Sequence, residues 1–208
     1  MVLISHRFKF IYIKNVKVAG TSVEAYFEKY CMDPNTDHIV QHKLDSNITK
    51  YGIVGNRENG KQTKYYNHMS AKEIKNYTGN DIFNSYFKFC VVRNPYDKMV
   101  SLYNMIKYRD GENVSFNDFV RKQNCVNYNR YFINNKSCID FYIRFEFLHE
   151  DLEKVCKKLN IEYDISKLPK FKSNYRKDND YKEYYNEELK KIVYDKHKEE
   201  FELFGYKY

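Results

Sequence analysis

The chain has 208 residues, 36 Lys+Arg against 28 Asp+Glu and a formal net charge of +8, a length for one domain that buries its core without disulfides or metals. Mean hydropathy is −0.81, but 22 Tyr and 15 Phe argue against disorder, because disordered chains lack such aromatics. No apolar run reaches the roughly 18 residues of a membrane span, the N-terminus has no signal-peptide order, and five scattered cysteines without a C-x-x-C pair make neither a disulfide framework nor a zinc knuckle.

In chain order, Phe8–Ile13 reads as a strand, and Lys14–Gly20 as a tight turn. Thr21–Phe27 has helical spacing at Val23, Tyr26 and Phe27 behind a Thr-Ser start. Residues 31–65 are polar and carry Pro34, Gly52, Gly55 and Gly60. They predict a long loop with one short strand at Tyr51–Val54. Ser70–Tyr77 reads as a helix closed by Thr78-Gly79, and Asp81–Ser85 as a further helical turn. Tyr86–Val92 is the strongest strand and stops at Arg93-Asn94-Pro95. Pro95 suits the first turn of a helix running to about Tyr108, with Asp97 near its positive end. A short helix at Val114–Lys122 follows, then a strand at Ile139–Phe145 and a helix at His149–Leu159. Asp164–Asp180 reads as a polar loop and Glu183–Phe201 as a last helix. This order predicts an α/β fold, a parallel sheet with helices on both faces, in a single domain over residues 1–208.

The basic excess points either to an anionic partner or to a plain lysine-rich surface. Two turns favour the anion. Lys17-Val18-Ala19-Gly20-Thr21-Ser22 lies between a strand and a helix, where unpaired N–H groups and the dipole bind phosphate. Gly20 permits close backbone approach, Thr21 and Ser22 add hydroxyls, and Lys17 adds charge. The order differs from G-x-x-x-x-G-K-[ST] and from G-x-G-x-x-G. Helix capping by Thr21 or Ser22 is the plain alternative. The second turn is Val91-Val92-Arg93-Asn94-Pro95-Tyr96, with Ser101 on the helix behind it. An Arg at the end of a parallel strand faces the ligand crevice of α/β sheets, and its fork suits phosphate. The alternative is an Arg paired to a carboxylate. No His/Cys/Asp cluster has metal spacing, so no metal is expected.

Together, K-x-x-G-T-S and V-R-N-P-Y-x-x-x-x-S-x-Y resemble the cofactor motifs of sulfotransferases that use 3′-phosphoadenosine 5′-phosphosulfate (PAPS). The carbohydrate branch, similar to the heparan 2-O- and chondroitin 4-O-enzymes, is the nearest. Asn67-His68-Met69-Ser70-Ala71, Ile143–Leu148, the loop from Leu168 to Tyr185 with Arg176, and Glu202–Tyr206 continue the likeness in the same order. Val16 stands where the family carries Pro.

The resemblance implies a three-layer, P-loop-like α/β fold with a central parallel sheet flanked by helices. It implies transfer of the sulfuryl group of PAPS to a hydroxyl, most simply of a glycan, with PAP as product. Lys17 would be the electrostatic catalyst. Lys17, Val18, Ala19, Gly20, Thr21 and Ser22 would hold the 5′-phosphosulfate, Arg93 and Ser101 the 3′-phosphate, and Arg176 a nucleotide phosphate. His68 would be the general base, with an ordinary pKa of roughly 6.5 near working pH, and Glu73 the reserve. Nucleic acid is not an expected partner, because no known binding motif stands out. A relative that binds PAPS or PAP without turnover, or a P-loop-like nucleotide kinase, is the alternative. The absent anchor points to a cytoplasmic setting and a microbial or viral source.

Overall fold

The structure is a computed structural model and describes residues 1–36, 46–57, 63–111, 114–169 and 180–208. Arg176 therefore lies outside the described residues. The chain falls into two compact units, Met1–Val92 with Asn129–Pro169, and Arg93–Tyr128 with Lys170–Tyr208.

The first unit carries β1 (Leu3–Ser5), β2 (Phe10–Ile13), α1 (Gly20–Glu28), β3 (Asn47–Thr49), β4 (Gly52–Val54), α2 (Ala71–Thr78), α3 (Asn80–Ser85) and β5 (Phe87–Val92). The second unit begins with α4 (Pro95–Asp110) and α5 (Phe116–Lys122), and α6 (Tyr128–Tyr131) leads back to the first. There the chain adds β6 (Phe132–Ile133), β7 (Lys136–Ser137), β8 (Phe141–Arg144) and α7 (Leu148–Lys158). It ends in the second unit with α8 (Glu187–Lys196) and α9 (Lys198–Phe204). Among the described residues no helix is long and apolar enough to cross a membrane.

Among the described residues the main sheet has six strands in the order β3-β4-β1-β2-β5-β8. Only β2, β5 and β8 run parallel; β1 is antiparallel to both β2 and β4, and β3 to β4. The expected central parallel sheet is thus corrected to a parallel half and an antiparallel half. The cause lies in the first apolar run, which is two strands. The turn through Lys9, with φ 51°, folds Met1–Ser5 back beside Phe10–Ile13. A short reversal can join only antiparallel strands, whereas parallel ones need a long crossover. β3 and β4 arise the same way inside the expected loop. Gly52 is required there, because a Cβ would stand 2.3 Å from the Ile4 carbonyl oxygen.

Strand alternation places Leu3, Phe10, Tyr12, Phe89, Val91 and Ile143 in one core with Val23, Tyr26 and Phe27 of α1 and Leu152, Val155 and Cys156 of α7. Phe27 meets Phe89 at 5.0 Å and Phe10 at 5.6 Å between ring centroids. Both contacts are edge-on, a preferred aromatic geometry. The aromatic excess is therefore core filling, as the composition predicts. Ile4, Ile11, Ile13 and Cys90 face the other way and are also fully buried, as strands covered on both faces require. A separate hairpin joins β6 to β7. Its turn residues Asn134 and Asn135 have φ 51° and 59°, which matches the positive-φ turn favoured in two-residue hairpins.

In the second unit, the expected last helix is three pieces. A 3₁₀ turn at Tyr181–Tyr184 precedes α8, and His197 (φ −122°, ψ 22°) breaks α8 from α9. The break lets the buried His197 turn its Nδ1 to Glu200 Oε2 at 3.1 Å. Glu200 also pairs with the buried Lys98 of α4 and accepts from the Asn127 N–H at 3.0 Å. Lys196 Nζ caps the end of α5, donating to the carbonyls of Val120, Arg121 and Gln123 at 2.7–2.9 Å.

Candidate active site

The turn from Lys14 to Ser22 joins β2 to α1 in the first unit. Val18 is buried in the core, so the turn is pinned at its middle. On either side of it, Lys17 and Ala19 have left-handed backbones, φ 61° and 59°. The helix starts at Gly20 behind Ala19, and no side chain caps it. Thr21 and Ser22 are therefore inside the first turn, and the capping alternative is excluded. Among the described helices longer than one turn, α1 alone has neither a capping side chain nor an acidic residue in its first turn. Helix-head N–H groups have no intrahelical acceptor and carry partial positive charge. The end of α1 is thus left suited to an anion. Gly20 has a reason other than the expected one. A Cβ there would stand 3.1 Å from both Lys14 Cγ and the Tyr12 hydroxyl oxygen, and that hydroxyl donates to the Gly20 carbonyl at 3.1 Å. The glycine lets the helix head sit on the end of β2.

Behind this turn lies a buried charge cluster. Glu24, fully buried on α1, pairs with Lys14 Nζ at 2.7 Å, Arg57 Nε at 2.6 Å and the Met1 amine at 2.9 Å. Arg57 reaches Glu28 as well. Burial alone would raise the Glu24 pKa, but the Met1 amine, Lys14 and Arg57 outweigh it and hold the carboxyl at about 2. Asn15 is also buried, and its Nδ2 donates to the Val91 carbonyl of β5 at 2.8 Å. This tie extends the β2–β5 pairing beyond Ile13↔Cys90, so the Lys17 turn is fixed to the end of β5.

His68 arrives at this turn from far along the chain. Its Nδ1 lies 3.2 Å from the Lys14 carbonyl oxygen. A carbonyl can only accept, so Nδ1 carries the proton and Nε2 presents the lone pair. The backbone of His68 is left-handed, φ 60°. Burial, then the charges of Lys14, the Met1 amine and Arg130, pull its pKa down to about 3. The ring is therefore neutral at ordinary pH. Glu73, the reserve base, is occupied. It closes a capping box with Ser70 at the head of α2 and accepts from the Tyr66 hydroxyl. Burial opposes ionisation of Glu73, and the Ser70 and Tyr66 hydrogen bonds override it and lower its pKa. Glu73 is a structural cap.

The second motif opens the second unit, where Arg93 follows directly after β5. Arg93 is buried, and its Nε donates to Asp97 Oδ2 at 2.6 Å. Asn94 caps α4 by accepting from the Tyr96 N–H at 3.0 Å, and its Nδ2 donates to the Lys207 carbonyl at 2.9 Å. Pro95 takes the first helical position, as expected. Asp97 orients the arginine, so the carboxylate-paired alternative is realised through Nε. Ser101, half-buried, lies one further turn along the face that carries Asp97. Among the described residues no group of His, Cys, Asp and Glu could hold a metal.

Residues 1–207 match the family model described as the sulfotransferase family. The chain belongs to the sulfotransferase family. A protein of Archaeoglobus fulgidus named only as uncharacterized is 36% identical over 118 residues, which are 52% of this chain and 98% of that one. No solved structure matches the chain.

In this sulfotransferase the structure brings His68 to the turn that carries Lys17, within the first unit. Arg93 and Ser101 are described in the second unit by themselves. The sequence reading missed Lys14, Asn15, Glu24, Arg57 and Arg130. One signal was available: Glu24 and Glu28, four apart, sit among Val23, Tyr26 and Phe27 on a short helix. Carboxylates on a buried face demand cations.

Proposed function

We propose that this sulfotransferase transfers the sulfuryl group of PAPS to a hydroxyl acceptor, a carbohydrate of the kind used by the heparan 2-O- and chondroitin 4-O-like branch, on a P-loop-like single domain. The observation that carries the reading is the His68 ring, held through Nδ1 by the turn that bears Lys17. The donor fits this turn on one test. The head of α1 has no cap and no first-turn acid, which is the arrangement an anion needs.

When bound, PAPS supplies the sulfuryl group and a phosphate leaving group. The N–H groups of Gly20 and Thr21, with the Thr21 and Ser22 hydroxyls, hold the 5′-phosphate. Val18 and Ala19 shape the turn. Lys17 places its ammonium against the charge that grows as the sulfur–oxygen bond breaks. Arg93 and Ser101 hold the 3′-phosphate, and Asp97 keeps the guanidinium oriented for it. His68 Nε2 takes the acceptor proton as the acceptor oxygen forms its bond to sulfur, and releases it to solvent afterwards. At a pKa of about 3 the ring is a weaker base than a free imidazole, so its contribution comes from holding Nε2 at the acceptor oxygen. Arg176 remains a proposed phosphate contact.

Sulfate transfer from labelled PAPS to a glycan panel tests the activity. Labelled product is the expected result. Thermal stabilisation by PAP but not by AMP, with no product on any hydroxyl acceptor, would leave a binding protein and overturn transfer.

A further inference from the structure

Resting on the assignment of His68 as the base, we propose that Arg130 is its positioning residue. The Arg130 guanidinium grips the His68 carbonyl oxygen while the Lys14 carbonyl grips the ring, so that Nε2 alone is presented to the acceptor.

The need for such a grip follows from the backbone. His68 has φ 60°, a region that is strained for a residue with a Cβ. Such a residue persists only where its surroundings over-determine it. Two hydrogen bonds do so here. Arg130 Nη1, on α6, donates to the His68 carbonyl oxygen. The His68 Nδ1–H donates to the Lys14 carbonyl. The first fixes the peptide plane after His68, and the second fixes the ring. Neither alone sets the direction of Nε2, because the ring can turn if the backbone relaxes to negative φ. The preceding residue is held too: Asn67 Oδ1 accepts from the Met1 amine at 2.6 Å.

The charged groups facing His68 come from three elements. They are Lys14 on the β2–α1 turn, the Met1 amine before β1, and Arg130 on α6. On the α2 side, Glu73 and Tyr66 feel the Arg130 charge. Among the described residues, the charges named for the His68 ring are all cations. Removing Arg130 releases the carbonyl and removes one of these cations, and both changes act on the same imidazole.

The test uses the full chain with Arg130→Met and Arg130→Lys. Nitrogen-15 NMR of the imidazoles, assigned with His68→Ala, reads the tautomer and titration of His68. In the parent protein the Nδ1–H form is expected, with protonation well below pH 6.5. In Arg130→Met the Nδ1–H form gives way to mixed tautomers and the titration moves up. In Arg130→Lys, whose ammonium can still donate, the shift is smaller. Where transfer activity is measurable, kcat falls about tenfold or more in Arg130→Met, within the ~10²-fold of an ångström of misplacement. The KM for PAPS stays within about twofold, and Arg130→Lys recovers part of kcat. A His68 tautomer and titration unchanged in both variants overturns the proposal. An active His68→Ala would instead overturn the base assignment, and the NMR result would still decide whether Arg130 holds the ring.

Discussion

Replacing Glu24 by Gln should be among the most costly isosteric changes in the first unit. Glu24 has no exposure, and cations lie at 2.6, 2.7 and 2.9 Å from it. Gln keeps the shape and removes the charge, which leaves Lys14 buried without its anion while Arg57 keeps Glu28. Breaking a buried ion pair costs about 3–5 kcal/mol. The pH linkage gives a second figure. The Glu24 pKa falls from 4.5 to about 2. A depressed carboxyl stabilises the fold fully above its unfolded pKa, and that contribution fades as pH drops through the folded one. A fall of this size corresponds to about 3 kcal/mol at pH 7. The two figures agree. For a chain of this size each kcal/mol shifts Tm by about 2–4 °C, so Glu24→Gln should lose about 6–12 °C at pH 7. The deficit narrows to about 1 kcal/mol at pH 3, because the parent protein has by then lost most of the same contribution. Thermal and urea denaturation followed by circular dichroism at both pH values measures this. A loss under 2 °C at pH 7, or a deficit that does not change with pH, refutes the cluster as an energetic unit.

Lys17→Ala should lower kcat by about 10²- to 10³-fold, the scale of removing one donor at developing charge, with Tm little changed; a residual activity above one tenth argues against Lys17 as electrostatic catalyst. Ala19→Gly relieves a left-handed backbone, φ 59°, so stability should rise by about 1 kcal/mol; a lower Tm counts against strain in the turn. For the pH profile, the neutral form of His68 is the active one, and its pKa lies at about 3. The acid limb of kcat/KM, which reports the free enzyme, should therefore fall below pH 5, and a midpoint at 6.5 contradicts the burial and the cations described around the ring. Arg93→Ala should abolish the extra thermal stabilisation that PAP gives the parent protein over AMP, and a variant that keeps this difference removes the 3′-phosphate assignment.

The element order was largely legible because hydrophobic period and turn chemistry are local. Pro95 and Asn94 mark the head of α4, and Ser70 with Glu73 marks the head of α2, each by a rule that spans four residues. The direction of the strands was less so. Met1–Ser5 and Phe10–Ile13 are separated by only His6-Arg7-Phe8-Lys9, and the reversal at Lys9 decides that they pair with each other. The same limit hid the break at His197. Its cause is a contact with Glu200, which also holds Lys98 and Asn127, and Lys98 lies 102 residues away from Glu200. For the site, residue types in the two motifs were readable, but the partners were not. Arg130 stands 62 residues from His68, and nothing in Asn129-Arg130-Tyr131 marks it out.

One property of the site is invisible in composition and spacing alike. Lys17, Ala19 and His68 are all left-handed, and none of them is glycine. At Ala19 a glycine would carry the same backbone at lower cost. At Lys17 and His68 it would not, because the side chain is what the turn presents. The left-handed backbone and the functional side chain must coexist there, and each needs an external hold. Val18 in the core supplies it for the turn, together with Asn15 tied to Val91. Arg130 and the Lys14 carbonyl supply it for His68. Lys14 serves both, since its ammonium is fixed by Glu24 and its carbonyl fixes the ring. The buried cluster around Glu24 is therefore the base on which the Lys17 turn and His68 share one position. Loss of Glu24 should disturb Lys17 and His68 together, in stability and in kcat, whereas loss of Arg130 should disturb His68 alone.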